Sequence, residues 1–321
     1  MAFYDIFNGD ADGICALQQL RLAQPRDSEL VTGVKRDIAL LSRVHVGAGD
    51  ELTVLDISLA DNRDALLRLL AAGARCVYFD HHFAGDIPTH PGLDAHIRAE
   101  PDVCTSLLVD EYLGGRFRAW AVVAAFGDNL PREAQRAAAG LGKTADELET
   151  LRELGECLNY NAYGDAPEDL LFPPAELYLR LQPYTDPLQF AAQDPAFPRL
   201  RAGLREDLQH AAAIDALIDT PTHYVVVMPD LAWGRRVHGS WANRLAVERP
   251  QRAHAVLIEH GGSYRVSVRA PLLRSAGADE LCRRFPTGGG RPGAGGINRL
   301  PRERLNDFVT AFLASFLPAV S

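Results

Sequence analysis

Aspartate and histidine side chains cluster in three short motifs of the N-terminal part of the chain. NGDADG (residues 8–13) carries Asp10 and Asp12, LDIS carries Asp56, and FDHH carries Asp80 followed by two histidines. Carboxylates crowded into one crevice repel each other unless cations neutralise them, and divalent ions accept both oxygen and nitrogen ligands. Several aspartates with a histidine suit Mn²⁺, with Mg²⁺ as its competitor. A carboxylate bridging two such ions would hold them ~3.5–4 Å apart, as in phosphoryl-transfer enzymes.

Each motif lies at the end of a predicted strand. Strands are predicted over residues 3–7, 29–34, 51–58 and 76–82, with helical segments after the first and third. In the second of these helical segments, Asp61 is expected to cap the helix and Gly73 to end it. This alternation predicts βαβ crossovers and a parallel sheet. Because the C-terminal strand ends of such a sheet converge on one crevice, we expect the three motifs to meet there.

Taken singly, each motif also has a purely structural explanation. An Asp-Gly turn after a strand is favoured for backbone reasons, and an aspartate at a strand end can cap the following helix. Two adjacent histidines behind an aspartate are harder to explain in this way. The combination of all three motifs at one sheet edge favours a metal site.

The remainder of the chain predicts a helical extension and a second, smaller α/β domain. We expect the first domain to span residues 1–190 and the second, with its linker helix, residues 191–321. The predicted elements are a mostly helical region over 107–181, a proline-rich passage over 183–198, a connecting helix over 201–218, strands over 223–228, 254–260 and 264–270, a glycine-rich loop over 288–296 and a helix over 302–317.

Charge is distributed unevenly along the 321 residues, whose formal net charge is −9. Up to position 190 there are 16 basic and 30 acidic residues, giving −14, and beyond it 17 and 12, giving +5. All basic residues of the C-terminal part are arginines, because the only lysines are Lys35 and Lys143. Arginine suits phosphate oxygens, although a GC-rich genome explains the bias equally well. The acidic total argues against a long duplex nucleic acid as the partner.

The five cysteines are scattered and form no CxxC pair, which predicts reduced thiols. The N-terminus has no basic segment followed by a long apolar one, and no stretch approaches the ~20 apolar residues of a membrane span. We therefore expect a cytoplasmic protein without a membrane partner.

Further motifs lie downstream: FGDN with Asp128, SVRA (residues 267–270) and GGGR from Gly288. In order and spacing, NGDADG, LDIS, DHH and these motifs resemble the DHH-family phosphoesterases that carry a C-terminal DHHA1 domain, the nanoRNase and RecJ-like proteins. The resemblance covers nearly the whole chain. It implies a parallel-sheet DHH domain with a helical extension, a linker helix and a smaller α/β DHHA1 domain.

The resemblance also implies two bound Mn²⁺ ions and a metal-bridging water or hydroxide that attacks a phosphodiester. Asp10 and Asp56 would hold one ion, with Asp56 bridging to the other. Asn8 stands where many relatives have His or Asp, and is a further candidate ligand. The ligands of the second ion would be Asp12, Asp56, His81 and Asp128.

Catalytic and substrate-binding roles follow from the same resemblance. His82 would face the scissile phosphate, and Asp80 would orient the histidines. Thr105 and Ser106 match a position at a helix N-terminus near the phosphate, although a plain helix cap explains them equally well. A clamp for a terminal phosphate or carboxylate-like group would consist of Arg269, Gly289, Gly290 and Arg291, the last standing where a GGGH motif has histidine.

The expected activity is hydrolysis of short single-stranded oligonucleotides or small nucleotides by a phosphoesterase of the exonuclease type. Metal-activated water would serve as the nucleophile. Two alternatives stay open: a phosphoanhydride hydrolase acting on pyrophosphate or polyphosphate, and a non-catalytic nucleic-acid-binding module. A homodimer is a further expectation.

Overall fold

The computed structural model describes residues 1–317. The chain divides into two compact units, Met1–Gly203 and the part from Leu204 onward. The predicted division of the domains at residue 190 stays a prediction, because compactness alone does not define where a domain begins. No helix in the described residues is long and apolar enough to cross a membrane.

A five-stranded sheet, parallel throughout, forms the centre of the first unit, with strand order β2-β1-β3-β4-β5. The predicted α/β fold and parallel sheet are thereby confirmed. The fifth strand was not predicted, because its sequence, LDAHI, is short and half polar. The strands are β1 (Phe3–Asn8), β2 (Glu29–Gly33), β3 (Glu51–Leu55), β4 (Arg75–Asp80) and β5 (Leu93–Ile97).

Helices pack on the sheet and form the extension that the sequence predicted. The side chain of Ser58, not Asp61, caps α2 by accepting a hydrogen bond from the Asp61 amide, so the predicted cap was wrong. Gly73 follows the end of α2 with φ +90°, as expected for a helix terminator. The helices of this unit are α1 (Ala11–Ala23), α2 (Leu59–Ala71), α3 (Thr105–Tyr112), α4 (Arg118–Gly127), α5 (Pro131–Ala138), α6 (Ala145–Ala162), α7 (Pro174–Leu181) and α8 (Pro187–Gln193).

A helix, α9 (Ala196–Ala212), runs from the end of the first unit into the second, where a six-stranded sheet has the order β10-β11-β9-β8-β7-β6. Only β7 and β8 pair in parallel. The strands are β6 (Ile218–Asp219), β7 (His223–Met228), β8 (Ala253–His260), β9 (Ser263–Arg269), β10 (Gly288–Arg291) and β11 (Ala294–Pro301). The remaining helices are α10 (Ala232–Glu248), α11 (Ala278–Arg283) and α12 (Leu305–Ser315).

The glycine-rich segment is a β-hairpin and not the predicted loop. Its two strands, β10 and β11, pair in antiparallel register around a turn at Pro292 and Gly293. A Cβ on Gly288 would collide with the Cys282 carbonyl oxygen, and Gly290 has φ +139°. The glycines thus allow the hairpin to pack closely against α11. In the sequence alone, the same glycine content is typical of a loop.

His254 lies on β8 in the second unit and is fully buried. Within the described residues, neither ring nitrogen has a hydrogen-bond partner. Burial, with a smaller effect from the nearby Arg252 charge, lowers the pKa of His254 to about 4. The neutral imidazole is therefore the form that the folded unit accommodates.

Acidification is expected to destabilise the protein through His254. Its pKa is lower when folded than the ordinary value of 6.5, so its contribution is present above pH 6.5 and is lost as the pH falls toward 4. Between pH 7 and pH 5 the loss should be about 2 kcal/mol. Urea unfolding at both pH values measures it. His254→Phe should show a pH dependence smaller by this amount, and the exposed His45→Gln should behave as wild type; equal slopes for all three proteins would contradict the assignment.

Candidate metal centre

The NGDADG motif forms the connection between β1 and α1. Asp10 caps α1, and its Oδ1 accepts hydrogen bonds from the amides of Asp12 (3.0 Å) and Gly13 (3.1 Å). Gly13 passes so close to Asn8 that a Cβ there would overlap the Asn8 carbonyl oxygen. The turn therefore needs glycine, and it places two buried carboxylates at the C-terminal edge of the sheet.

Asp12 is held by the N-terminus of α3. Its Oδ2 accepts from the amide of Thr105 and its Oδ1 from the amide of Ser106, both at 2.7 Å. The Ser106 hydroxyl also donates to the Asp12 carbonyl at 2.8 Å. Unpaired amides at a helix N-terminus favour a negative charge. Thr105 and Ser106, both fully buried, thus orient a predicted ligand; their contact with substrate stays a prediction.

Asp56 follows β3 in a left-handed backbone conformation, with φ +59°. Its amide donates to the Phe79 carbonyl at 3.0 Å, and its Oδ1 accepts from the Thr105 hydroxyl at 3.0 Å. Non-glycine residues adopt this conformation infrequently, and Asp and Asn do so most readily. The backbone turn directs the carboxylate to the crevice at the end of the sheet.

His81 faces three carboxylates with one ring nitrogen. Its Nδ1 lies 2.9 Å from the Val103 carbonyl oxygen, which can only accept, so Nδ1 carries the proton and Nε2 of the neutral ring has a lone pair. That Nε2 lies 3.4 Å from Asp56 Oδ1, 3.8 Å from Asp128 Oδ2 and 3.9 Å from Asp12 Oδ2. In the neutral ring, this nitrogen can bind a cation placed among the three carboxylates. In a metal-binding histidine, the ring nitrogen that does not bind the metal usually donates such a hydrogen bond, as Nδ1 does here.

His82 and Asp80 form a separate pair. Nδ1 of His82 donates to Asp80 Oδ1 at 2.7 Å, and Asp80 is fully buried whereas the His82 side chain is 45% exposed. Burial lowers the pKa of His82, but the hydrogen bond to Asp80 and the charge of that carboxylate outweigh it and raise the pKa above its usual value. The pair can present a protonated imidazole at the edge of the crevice.

Neighbouring carboxylates oppose the ionisation of Asp56 and Asp128. Burial, together with the charges of Asp12, Asp10 and Asp128, raises the pKa of Asp56 well above its usual value. Burial also raises the pKa of Asp128, although the charge of Lys35 counteracts it. A divalent cation would relieve this repulsion, because it favours the ionised form of every carboxylate it contacts.

Lys35, which sequence reasoning did not single out as a site residue, lies among these carboxylates. Its ammonium forms an ion pair with Asp10 Oδ2 and lies 3.5 Å from Asp128 Oδ1 and 3.2 Å from Asn159 Oδ1. Burial lowers the pKa of Lys35, but the Asp10 charge and other nearby groups raise it well above the usual value. One signal was present in the sequence: Lys35 is one of two lysines among 33 basic residues and follows a predicted strand.

Asn8 supports the loop around Lys35. Its Nδ2 donates to the Lys35 carbonyl at 3.3 Å, and its Oδ1 accepts from the Asp10 amide at 3.3 Å. Both ends of the amide are therefore engaged with backbone groups. A metal-ligand role for Asn8 stays a prediction.

The residues fit a divalent metal ion. Within the described residues, two groups place one ligand atom each within 4.8 Å of one another: Asp12, His81 and Asp128, and Asp56, His81 and His82. Carboxylate oxygens with one or two imidazole nitrogens suit Mn²⁺ or a similar first-row ion. The structure thus brings together Asp12, Asp56, His81 and Asp128, while Asp10 lies beside them and contacts Lys35.

The residues predicted to clamp a terminal phosphate, Arg269, Gly289, Gly290 and Arg291, lie in the second unit. In the sheet register Arg269 pairs with Ala294, and Ala294 pairs with Arg291, so the two arginines flank one alanine across three adjacent strands. Nε of Arg269 donates to Asn243 Oδ1 at 2.7 Å, and Arg291 is exposed. A Cβ on Gly289 would meet no atom within 4 Å. The hairpin therefore has an open surface next to two arginines.

Comparison with solved structures identifies the fold as RecJ-like, as the DHH-type motifs predicted. RecJ from Thermus thermophilus in complex with Mn²⁺ matches at 18% identity and a TM-score of 0.64, over 98% of this chain and 51% of that one. This chain therefore spans about half the length of that RecJ. At this identity the likeness establishes the fold alone.

Two shorter neighbours match over nearly their whole length. A pGpG-specific phosphodiesterase from Vibrio cholerae has 14% identity and a TM-score of 0.57, with 98% of this chain and 99% of that one covered. An exopolyphosphatase-related protein from Bacteroides fragilis has 12% identity and a TM-score of 0.53, with 98% and 91% covered. No protein-family model matches the sequence, and no curated protein matches it. None of these similarities supports the expected homodimer.

We expect His81 to be essential for metal affinity. His81→Gln removes the nitrogen lone pair among the three carboxylates and should weaken Mn²⁺ binding about tenfold or more. Isothermal titration calorimetry of protein treated with chelator measures the affinity. The exposed His45→Gln serves as the control and should bind as wild type; unchanged affinity in His81→Gln would exclude this nitrogen as a ligand.

Proposed function

We propose that the protein is a divalent-metal-dependent hydrolase of phosphate esters. The observation that carries this proposal is the convergence of the His81 Nε2 lone pair with the carboxylates of Asp12, Asp56 and Asp128 at the C-terminal edge of a parallel sheet. Buried, mutually repelling anions of this kind are costly unless they bind a cation. The RecJ-like fold, seen in solved structures with Mn²⁺ bound, supports the same interpretation.

Side chains of this unit would hold the ion and handle protons. When bound, divalent ions lower the pKa of water and neutralise charge on phosphoryl oxygens. His81 and the carboxylates bind and orient the ion, and Asp12 is kept in place by the α3 amides. His82, whose Nδ1 is engaged by Asp80, has Nε2 free to donate a proton to a phosphoryl oxygen or a leaving group.

The expected metal is Mn²⁺, with Mg²⁺ as the competitor, and the resemblance to DHH phosphoesterases implies two ions. Short oligonucleotides or small nucleotides are the proposed substrates. The full-length match to a phosphodiesterase described as pGpG-specific supports a small substrate, and the match to only half of the Thermus RecJ agrees with it. Thr105 and Ser106 are retained as proposed substrate-binding residues in addition to their contacts with Asp12.

The second unit is proposed to bind a phosphate group. Arg269 and Arg291 flank Ala294, and the adjoining Gly289 has open space where a side chain would stand. Guanidinium forks bind phosphate oxygens with two parallel hydrogen bonds, and exposed amides add to this. Arg291 keeps its charge at any physiological pH, unlike a histidine at the same place.

A phosphoanhydride hydrolase is the second candidate. The full-chain match to an exopolyphosphatase-related protein favours it, and the same metal ligands would serve both reactions. The two candidates differ in the leaving group, which is an alcohol in one and a phosphate in the other.

The proposed activity should require Asp56. With Mn²⁺ present, the wild type is expected to hydrolyse pApA and pGpG, and Asp56→Asn should lower kcat by about a hundredfold or more because it removes a negative ligand while keeping the backbone conformation accessible. The measurement is product release from a panel of dinucleotides, longer RNA and DNA oligomers, cyclic dinucleotides and polyphosphate.

Asp61→Asn, an exposed aspartate on α2, is the matched control and should retain full activity. Turnover of polyphosphate without turnover of dinucleotides would favour the second candidate. A wild type that binds Mn²⁺ but hydrolyses no member of the panel would contradict the proposal.

Arg291 should contribute mainly to substrate binding. Arg291→Gln is expected to raise KM about tenfold for substrates with a terminal phosphate, with little change in kcat, because a binding contact is lost equally in the ground and transition states. Steady-state kinetics with pApA and with its dephosphorylated form ApA separate the effects. Arg299→Gln, an exposed arginine on the same hairpin, is the control; an equal change of KM in both variants would argue for a general effect of charge.

A further inference from the structure

Lys35 holds its positive charge where the first of two divalent ions is expected. Resting on the proposed function, we propose that the Lys35 ammonium replaces that ion, so that the chain binds a single divalent ion tightly, through Asp12, Asp56, His81 and Asp128. The proposed hydrolase would therefore use one metal ion and one fixed lysine. Contacts of Asp10, of His81 and of Lys35 itself lead to this inference.

Asp10, the carboxylate expected to hold the first ion with Asp56, is already fully engaged. Its Oδ1 accepts from two amides at the start of α1, and its Oδ2 contacts the Lys35 ammonium. An ion bound to Oδ2 would lie within a few ångströms of that ammonium, and two cations on one oxygen repel strongly in a buried place. Asp10 therefore already contacts a cation, the Lys35 ammonium.

The ligands around His81 include Asp128, which lies 3.5 Å from the same ammonium through Oδ1 but faces His81 Nε2 with its other oxygen, Oδ2. The three carboxylate oxygens nearest to His81 Nε2 lie 3.4 to 3.9 Å from it, and this nitrogen can coordinate a metal ion when the ring is neutral. Neither group of three convergent ligand atoms found within residues 1–317 includes Asp10. Residues 1–317 therefore place two groups of ligand atoms that overlap at His81, and Asp10 lies outside both and is paired with Lys35.

The surrounding structure fixes the position of Lys35. Its amide donates to the carbonyl of Ala162, the last residue of α6, at 2.9 Å, and its own carbonyl accepts from Asn8. The ammonium also donates to Asn159 Oδ1 at 3.2 Å and lies 5.5 Å from the centre of the Tyr163 ring. The C-terminal end of α6 carries partial negative charge and favours a cation nearby. These contacts hold the side chain as part of the site.

The identity of the residue agrees with this role. Lys35 is a lysine in a chain whose other basic residues are all arginines, except Lys143. A lysine ammonium is a compact point charge, comparable to an ion, whereas the guanidinium of arginine is a wide planar fork. A point charge can lie against both Asp10 and Asp128, as the ammonium does.

Metal stoichiometry tests the inference without relying on activity. Equilibrium dialysis against micromolar Mn²⁺, followed by elemental analysis, should give one ion per chain for the wild type and two for Lys35→Met. Electron paramagnetic resonance should show the six-line signal of isolated Mn²⁺ in the wild type and the signal of a coupled pair in Lys35→Met. Lys143→Met, the change of the only other lysine, is the matched control and should match the wild type.

Two further variants keep the test decisive if Lys35→Met does not fold, which circular dichroism would show. Asp10→Asn should change the affinity of the tight Mn²⁺ by less than about fivefold, whereas Asp12→Asn should lower it about tenfold or more. Equal losses in both variants would make Asp10 a ligand of the tight ion and overturn the inference.

Other outcomes separate the inference from the proposed function. Two tightly bound ions in the wild type, or one ion in folded Lys35→Met, would overturn the role of Lys35 and leave a metal-dependent hydrolase intact. No bound Mn²⁺ in the wild type or in any variant would contradict the proposed function itself.

Discussion

Repulsion between buried carboxylates is the constraint on which the N-terminal unit depends. Asp10, Asp12 and Asp56 are almost completely buried, and Asp128 is close to them. Each must be offset by a donor or a cation, since an unpaired buried charge destabilises a fold by several kcal/mol. Amides in the first turn of α1 stabilise Asp10, the first amides of α3 stabilise Asp12, and the Lys35 ammonium lies against Asp10 and Asp128. The connections that follow the strands therefore place amide donors and a lysine next to the buried carboxylates.

This constraint explains why the site lies where it does. A parallel sheet brings its strand ends together at one edge, and helices that begin there offer unpaired amides to anions. The Asp12 carboxylate uses two such amides, and Asp56 reaches the crevice only because its backbone adopts a left-handed conformation. The ligands are thus positioned by main-chain geometry more than by side-chain packing, which gives a metal ion a preformed set of oxygens.

Much of this site was predictable from the sequence because its motifs follow apolar strands with clear periodicity. The first four strands of the first unit and the convergence of Asp12, Asp56, His81 and Asp128 were anticipated, whereas β5 was not. Lys35 was not assigned to the site, because nothing local distinguishes a lysine that reaches a carboxylate 25 positions earlier. Its position depends on contacts with α6, more than a hundred residues later, and such long-range contacts leave no short motif.

The glycine-rich hairpin was wrongly predicted to be a loop because the prediction relied on local composition. Its composition is that of a flexible loop, yet Gly288 and Gly290 are needed because a side chain would strike neighbouring backbone, and only the folded contacts reveal this. The fold class of both units was therefore predictable, whereas the conformation of this segment was not. Local composition indicates which backbone conformations the isolated chain can adopt. Tertiary packing then selects one of these conformations.

Gly289 differs from its neighbours in a way that matters for protein engineering. Space around it is open, so a small side chain can be introduced there without disturbing the hairpin, while Gly288 and Gly290 tolerate none. Natural variation and directed evolution can thus sample different side chains at this one position next to Arg291 and leave the core of the second unit intact. The hairpin therefore offers, at Gly289, a position where a side chain can be added beside Arg291 while Gly288 and Gly290 keep the backbone closely packed.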